Sequence, residues 1–115
     1  MELKEREAGG VLVFSLVGEL MGGDETKFFQ ERIYDAIQKS KIFIAVDMGK
    51  VKWMNSSGLG MLMAGLTTLR SSGGDLRLAN VSERVRRPIE VTKLDRVIRV
   101  YKSVDEAIAS FTSGG

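Results

Sequence analysis

The 115-residue chain is 43% hydrophobic and 28% charged, so it is long and apolar enough to bury one core. Its 17 basic and 15 acidic side chains give a net charge of only +2, which argues against electrostatic binding to nucleic acid or to membranes. Cysteine and histidine are absent, which excludes disulfides, catalytic systems built on histidine or cysteine, and metal sites with nitrogen or sulfur ligands.

The first part of the chain is predicted to form a β-hairpin followed by a helix. Residues 3–8 alternate weakly between apolar and charged side chains, and residues 11–17 are apolar on both faces, which is typical of a strand inside a sheet. The glycine-rich residues 18–23 are predicted to leave this strand as a loop. Asp24 is the predicted N-cap of a helix over residues 25–38, where apolar side chains recur at helical spacing.

The middle of the chain is predicted to form a strand, a helix and a second, short strand. Residues 42–46 are apolar on both faces, and residues 48–54 are predicted to connect them to the helix. Residues 57–70 have helical periodicity, and one apolar face contains Leu59, Leu62, Met63, Leu66 and Leu69. The Ser-Ser-Gly-Gly sequence at 71–74 is predicted to end this helix, and residues 76–79 follow as the short strand.

The last part of the chain is predicted to contain two helices and one strand. The helix at residues 82–91 includes Pro88, where we expect a kink, a 3₁₀ break or an early stop, because proline removes a backbone hydrogen bond. Residues 97–101 are predicted to form a strand, and residues 103–111 a capped final helix. Residues 112–115 are predicted to be a disordered tail.

Together these elements predict an α/β fold. We expect a single domain over residues 1–115, with an ordered core at about 3–111 and a mixed four- to five-stranded sheet flanked by about four helices. The chain begins with charged residues and has no apolar run long enough to span a bilayer, so we expect a cytoplasmic protein that does not bind membranes.

No motif for catalysis or for cofactor binding is found in the sequence. Residues 18–23 lack the Gly-Lys-Ser/Thr ending of a phosphate-binding loop, and Gly58-Leu59-Gly60 is not followed by the third glycine of a dinucleotide-binding loop. The aspartates are scattered without the spacing of metal ligands. The sequence therefore predicts a protein that is not an enzyme and holds neither cofactor nor metal.

A basic cluster lies between residues 84 and 99, with six basic side chains. It lacks aromatic side chains that could stack on single-stranded nucleic acid, and it has no recognition-helix pattern. We interpret the cluster as a solvated helix face. An acidic protein partner is the first alternative, and nucleic acid is the last.

Three polar residues, Asn55, Ser56 and Ser57, lie where the middle helix is predicted to begin. One of them would act as the N-cap, because side-chain oxygens accept hydrogen bonds from the first helical amides. A second interpretation is that an exposed hydroxyl here accepts a phosphate, whose charge the positive end of the helix dipole would tolerate. Physical reasoning on the residues leaves both interpretations open.

A second face of the same helix is predicted to be small, apolar and exposed. It contains Met61, Ala64 and Gly65, and Trp53 and Met54 are predicted to extend it into a surface for a protein partner. The alternative is that other parts of the same domain cover these residues.

Several segments resemble the anti-sigma factor antagonists of the STAS domain class. These are Gly18-Glu19-Leu20, Trp53-Met54-Asn55-Ser56-Ser57-Gly58-Leu59-Gly60, Gly73-Gly74-Asp75-Leu76-Arg77-Leu78-Ala79-Asn80-Val81-Ser82 and Leu94-Asp95-Arg96-Val97. The resemblance implies a STAS fold and a partner switch. In that family the unmodified domain binds an anti-sigma factor, often a serine kinase of the GHKL ATPase type. That kinase phosphorylates the domain and so breaks the complex, and a serine phosphatase restores it.

The resemblance implies that Ser56 is the phosphorylated residue, with Ser57 as the less favoured alternative. With the surface described above, it implies partner-binding roles for Met21, Gly22, Trp53, Met54, Asn55, Ser57, Gly58, Met61, Ala64 and Gly65. The sequence departs from the family pattern at Asn55, where an acid is usual, and at Met21, where Asp often follows Gly-Glu-Leu. A STAS scaffold or transporter-associated subunit that binds a partner without phosphorylation is the alternative function, and Asn55 favours it slightly. Small-ligand or nucleotide binding is a third possibility, for which no phosphate-binding motif is present.

Overall fold

Five strands form one mixed sheet in this computed structural model, which describes residues 1–112 of the chain. The strands are β1 (Glu2–Ala8), β2 (Val11–Leu20), β3 (Phe43–Met54), β4 (Asp75–Ala79) and β5 (Val100–Tyr101). Their spatial order across the sheet follows their order along the chain. The β1–β2 pair is antiparallel, and each later pair is parallel.

Four helices complete the part of the chain that the structure describes. They are α1 (Asp24–Gln38), α2 (Ser56–Ser71), α3 (Glu83–Val91) and α4 (Val104–Thr112). A mixed five-stranded sheet with four helices confirms the predicted α/β fold.

The core lies on both faces of the sheet, and its two layers differ in size. Beneath α1, α2 and α3 is the larger layer, in which Phe14 of β2 meets Phe29 of α1 edge to face, with ring centroids 6.1 Å apart. On the opposite face, α4 covers a smaller layer of short side chains that includes Val13 and Ala45. Three helices therefore cover one side of the sheet and one helix covers part of the other.

The predicted hairpin is present and places β2 inside the sheet. Its turn is Gly9-Gly10, whose φ angles of +57° and +78° lie in the left-handed region that favours glycine. β2 lies between β1 and β3, and Val13, Phe14 and Leu16 are fully buried. The prediction of an internal strand is confirmed.

Both β2 and β3 extend beyond the predicted strands. We predicted a loop at residues 18–23 and a connection at residues 48–54, but Gly18 pairs with Val51 and Leu20 pairs with Met54 in a parallel ladder. At each of two register shifts β3 carries an extra residue, so its alternation of inward and outward side chains is interrupted. This interruption hid the second half of β3 from a prediction based on periodicity.

The start of α1 differs from the prediction by one residue. Asp24 is the first residue of the helix, and Gly23 is the cap. Gly23 has a φ of +65°, and its carbonyl accepts a hydrogen bond from the Thr26 amide at 3.0 Å. Glycine tolerates this backbone conformation, which an aspartate would adopt less readily.

α3 runs without interruption from its N-cap Ser82 to Val91, so the early stop or 3₁₀ break predicted at Pro88 is wrong. The proline removes a single hydrogen bond from a helix of nine residues. Val85 and Ile89, on either side of it, are buried against the sheet and hold the helix in place.

The last strand is shorter than predicted because a 3₁₀ turn at Leu94–Arg96 precedes it. The amides of Val97 and Ile98 both donate to the carbonyl of Leu94 at 2.9 Å, which curls the chain where we predicted a strand. Only the two residues of β5 then pair with β4.

α4 begins as predicted and ends later. The Ser103 hydroxyl accepts from the Glu106 amide at 3.1 Å and caps the helix, and the Glu106 carboxylate accepts from the Lys102 amide at 3.2 Å, one residue before the position that a capping box uses. The helix includes Thr112, which we predicted to begin the tail. The rest of that predicted tail, residues 113–115, lies outside the described residues.

Candidate functional site

The junction between β3 and α2 is built around Asn55. Its amide donates to the carbonyl of Leu20 at 3.1 Å, which joins the ends of β2 and β3. Its side-chain Oδ1 accepts from the Gly58 amide at 2.7 Å, and its carbonyl accepts from the Leu59 amide at 3.0 Å. Asn55 is therefore the N-cap of α2, and it also anchors the junction to the sheet.

Ser56 and Ser57 are the first two residues of α2, and both are exposed. Within residues 1–112, neither hydroxyl makes a hydrogen bond. Because Asn55 already supplies the cap, neither serine is needed to hold the helix start. The capping interpretation thus applies to Asn55, and the two hydroxyls are accessible to an enzyme or a partner.

The loop at residues 21–23 packs directly against this junction. A Cβ on Gly22 would lie 2.6 Å from the Cβ of Ser57, and a Cβ on Gly58 would lie 2.1 Å from the carbonyl oxygen of Leu20. Both distances are too short for any side chain, so the two backbone segments meet at positions where only glycine fits. The contact holds the loop beside the start of α2.

Five residues that we assigned to a partner surface have little or no exposed surface. Met54 and Met61 are 3% and 2% exposed, and the remaining three are buried glycines, namely Gly22, Gly58 and Gly65. The predicted exposure of Met54, Met61 and Gly65 is therefore wrong, whereas the contact of these five residues with a partner stays a prediction. Asn55 and Ala64 are half-buried, whereas Met21, Trp53 and Ser57 are exposed as predicted.

The error at Met61 and Gly65 arises because α1 covers that side of α2. A Cβ on Gly65 would lie 2.7 Å from the ring of Phe29. The side-chain amide of Gln30 donates to the Thr68 hydroxyl at 2.9 Å. Both apolar faces of α2 are therefore used inside the domain. The sequence showed two apolar faces but gave no means to tell which of them α1 would cover.

The outward face of α2 begins at Ser56 and continues at helical spacing. Gly60 and Thr67 are exposed and Met63 is half-buried, at positions i+4, i+11 and i+7 from Ser56. Sequence reasoning missed these three residues. Counting the helical period from the exposed serine, rather than from the apolar residues, would have found them.

Glu25 supports the loop at residues 21–23 from the side of α1. Its carboxylate accepts from the Met21 amide at 3.1 Å and contacts the Met1 ammonium at 2.8 Å. Burial raises the pKa of the Glu25 carboxyl, but hydrogen bonds from the Met1 ammonium and from the Met21 and Gly22 amides lower it by more. The net pKa lies below the ordinary value of 4.5.

The fold, the junction and the sequence together can be compared with known proteins. The family model of the STAS domain matches residues 2–107 of the chain. The chain belongs to the STAS domain family. This confirms the family that the sequence motifs indicated.

Three relatives show how similar this STAS domain is to others. It is 26% identical over 104 residues to the anti-sigma-B factor antagonist of Listeria monocytogenes, covering 87% of this chain and 86% of that protein. The crystal structure of a Thermotoga maritima protein, provisionally assigned as an anti-sigma factor antagonist, matches with a TM-score of 0.84 at 25% identity, over 94% of this chain and 92% of that one. The phosphorylated form of SpoIIAA from Bacillus has the same fold, with a TM-score of 0.72 at 21% identity, over 96% of this chain and 99% of that one.

Among residues 1–112, no three acidic side chains are grouped closely enough to hold a metal ion. In the same range, none of the helices has the length and apolar character needed to cross a bilayer.

Replacing Asn55 by alanine is expected to destabilise this STAS domain by about 1 kcal/mol, because the Gly58 amide loses its acceptor. Asn55→Asp is expected to preserve the stability or raise it by about 0.3–1 kcal/mol, since a carboxylate also caps and its charge favours the helix N-terminus. Urea unfolding measures both changes. Ser57→Ala is the control, and an equal loss in that variant would contradict the assignment of the cap.

Glu25 is expected to make the stability of this STAS domain depend on pH. Because its pKa is lower in the folded state, its contribution is fully present above the unfolded-state value and is lost as the pH falls through the folded-state pKa. The urea midpoints of the wild type and Glu25→Gln are therefore expected to differ at neutral pH and to converge in acid. Glu31→Gln, at an exposed site on the same helix, is the control, and equal behaviour of the two variants would argue against the Met21 contact.

Proposed function

We propose that this STAS domain is an anti-sigma factor antagonist that works as a partner switch. In the unmodified state it binds an anti-sigma factor that is also a GHKL-type serine kinase, and phosphorylation of Ser56 releases it until a serine phosphatase removes the phosphate. The names of the Listeria and Thermotoga relatives support the antagonist role. Both serine hydroxyls are exposed and make no hydrogen bond inside the described domain, and the observation that carries the choice of Ser56 is that Ser57, unlike Ser56, packs against the Gly22 backbone.

The position of Ser56 suits a modification that changes the surface and leaves the fold intact. Ser56 is the first residue of α2, where backbone amides have no acceptor within the helix and the helix dipole is positive. A phosphate there adds a charge of about −1.5 to −2 next to groups that favour it. Asn55 continues to cap Gly58, so the helix start does not depend on the serine. The existence of a phosphorylated form of SpoIIAA, which has the same fold, supports this proposal.

The proposed partner surface surrounds Ser56. Met21 and Trp53 are 45% and 42% exposed at the ends of the neighbouring strands β2 and β3, and tryptophan is among the residues that contribute most to protein interfaces. The outward face of α2 adds Gly60, Met63 and Thr67 to this surface. Together these residues place apolar contact area on both sides of an exposed hydroxyl.

Gly60 has no explanation inside the domain, which is why we assign it to the partner surface. A Cβ at Gly60 would meet no atom within 4 Å, so alanine would fit the folded chain. Glycine in a helix interior costs about 0.5–1 kcal/mol relative to alanine. A partner that approaches the helix backbone closely would account for a residue that otherwise only weakens the helix.

Gly60→Ala is expected to raise the free energy of unfolding by about 0.5–1 kcal/mol and to weaken the complex with the anti-sigma factor by about tenfold. Gly60→Leu is expected to weaken the complex further while the domain remains folded, because the position is open in the free domain. Urea unfolding and titration calorimetry measure the two effects. Unchanged affinity in both variants would remove Gly60 from the interface.

Phosphorylation at Ser56 is tested by incubating the purified chain with the cognate kinase and ATP and locating the phosphate by mass spectrometry. We expect one phosphate on the wild type and on Ser57→Ala, and none on Ser56→Ala. Phosphorylation of Ser56→Ala to the same extent as the wild type would show that the assigned residue is wrong.

A constitutive scaffold or transporter-associated STAS subunit is the second candidate function. One observation favours it, namely that Asn55 lacks the carboxylate that usually precedes the phosphorylated serine in the family. A scaffold would keep all its partners when Ser56 is replaced by aspartate, whereas a switch would lose one. Binding of each partner to Ser56→Asp therefore distinguishes the two functions.

A further inference from the structure

Charge is strongly segregated along the chain. Residues 84–102 contain seven basic and two acidic side chains, a net charge of +5, and because the whole chain carries +2, the remaining residues carry −3. This segment comprises most of α3, the 3₁₀ turn and β5. The near-neutral net charge of the chain therefore conceals one basic surface.

The basic side chains of this segment are exposed, and most of them form no ion pair within the described residues. Six of them form no ion pair with any residue in the range 1–112, and these are Arg84, Arg86, Arg87, Lys93, Arg96 and Lys102. We call them the α3 basic surface. Among the ten basic side chains outside this segment, five form ion pairs with acids within the described residues, namely Arg32, Lys39, Lys41, Arg70 and Arg77. Like charges that are gathered without internal partners repel one another, so the fold gains nothing from the cluster.

Apolar side chains are exposed in the same segment. Val91 is 72% exposed, the highest value among the exposed large apolar side chains, and Val97 is 43% exposed. The same segment also lines a cleft of about 360 Å³, to which Ile89, Val100 and Tyr101 contribute apolar surface and Arg86, Lys102 and the two acids of the segment contribute charged groups. The surface thus combines positive charge with apolar area and a recess.

We propose that the α3 basic surface docks an acidic segment of a protein partner. Arginine predominates in the cluster, and its planar guanidinium binds carboxylates in a bidentate manner. Protein interfaces combine arginine with apolar area, which Val91 and Val97 provide here. No residue of this surface belongs to the Ser56 junction, so the interaction does not depend on the proposed phosphorylation.

A protein partner fits these observations better than nucleic acid or an anionic membrane does. Single-stranded nucleic acid is bound through exposed aromatic side chains, and the one aromatic residue of the segment, Tyr101, is half-buried. Electrostatic binding to the phosphates of a duplex or of a bilayer surface gives no role to the cleft. Carboxylates interspersed with apolar residues match both properties of the surface.

The test uses the full chain labelled with ¹⁵N and a synthetic peptide in which glutamate and aspartate alternate with leucine. We expect the peptide to shift amide resonances within residues 84–102 and to bind more weakly as salt is added. A peptide with glutamine and asparagine in place of the acids is expected not to bind. Duplex DNA and phosphatidylserine vesicles are titrated in parallel, and a stronger response to either one would overturn the proposal.

Charge reversal supplies the matched comparison. Arg84→Glu combined with Arg87→Glu and Arg96→Glu is expected to weaken peptide binding by about tenfold or more. The control combines Lys4→Glu, Arg6→Glu and Lys27→Glu, which reverse three exposed cations that form no ion pair within residues 1–112, and is expected to change affinity by less than about twofold. If the two triple variants lost peptide affinity equally, the effect would come from net charge alone, and the proposal of a specific surface would be refuted. Ser56→Asp is expected to bind the peptide as the wild type does, which separates this proposal from the switch.

Discussion

Ser56→Asp is expected to weaken binding of the anti-sigma factor by about a hundredfold or more, while Ser56→Ala changes it by no more than about threefold. The physical reason is that a carboxylate at this exposed position must be desolvated when the complex forms and meets a partner surface that accommodates a neutral hydroxyl. Removing the hydroxyl leaves no such charge behind. Surface plasmon resonance or calorimetry with the purified partner measures both affinities.

The stability of Ser56→Asp provides a check that the lost binding is not lost folding. An acidic residue in the first turn of a helix interacts favourably with the dipole, so the free energy of unfolding is expected to stay the same or to rise by about 0.3–1 kcal/mol. Binding and stability are thus expected to move in opposite directions. A variant that binds weakly and also unfolds at lower urea concentration would not support a switch.

Ser57→Asp is the matched control, because it places the same charge one residue further along the same exposed helix start. If the switch depends on Ser56, this variant is expected to keep more affinity than Ser56→Asp. Ser57 also packs against Gly22, so Ser57→Asp reports on the loop contact as well. Equal effects of the two substitutions would mean that general negative charge at the helix start, rather than Ser56 itself, controls the complex.

The α/β fold could be predicted from the sequence because most elements have a clear period or a clear terminal signal. The buried run at residues 11–17, the Gly-Gly helix stop and the Ser103 cap each depend on local chemistry, and each is present in the structure. The second half of β3 could not be predicted in this way. Its two register shifts interrupt the alternation, and its pairing with Gly18 and Leu20 is set by the neighbouring strand.

The candidate site, too, could be located from local sequence signals, but its contacts could not be predicted from them. The polar residues at the start of α2 and the family motif identified the junction. They did not show that Asn55 is the cap, because all three polar residues have side chains that can accept a backbone hydrogen bond. The structure assigns the cap through the 2.7 Å contact with Gly58.

Which side of α2 is exposed could be predicted even less well from the sequence, because it depends on how the other helices pack. Residues 61 and 63 are both methionines in the same helix, yet Met61 is buried and Met63 is partly exposed. The difference comes from α1, which covers one side of α2 through the contact between Phe29 and Gly65. Sequence periodicity describes a helix's own faces, whereas the neighbours that cover them depend on the packing of the whole domain.

Gly58→Ala is expected to destabilise the domain by about 2–4 kcal/mol, in contrast to Gly60→Ala on the same helix. The methyl group at residue 58 would lie 2.1 Å from the carbonyl oxygen of Leu20, which is a backbone atom and cannot rotate away. That carbonyl accepts the Asn55 amide at 3.1 Å, so moving it also breaks the link between β2 and the junction. The higher helix propensity of alanine, about 1 kcal/mol, offsets only part of this cost.

The pair of glycine variants separates sterics from helix propensity, because both replace glycine by alanine in the first two turns of α2. Urea unfolding is expected to give a lower midpoint for Gly58→Ala and a higher midpoint for Gly60→Ala than for the wild type. Amide hydrogen exchange is expected to rise at Asn55 and Leu59 in Gly58→Ala, because the junction that holds them opens. Midpoints that rise in both variants would mean that the contact between residue 58 and β2 is looser than the structure indicates, and that the junction does not need glycine there.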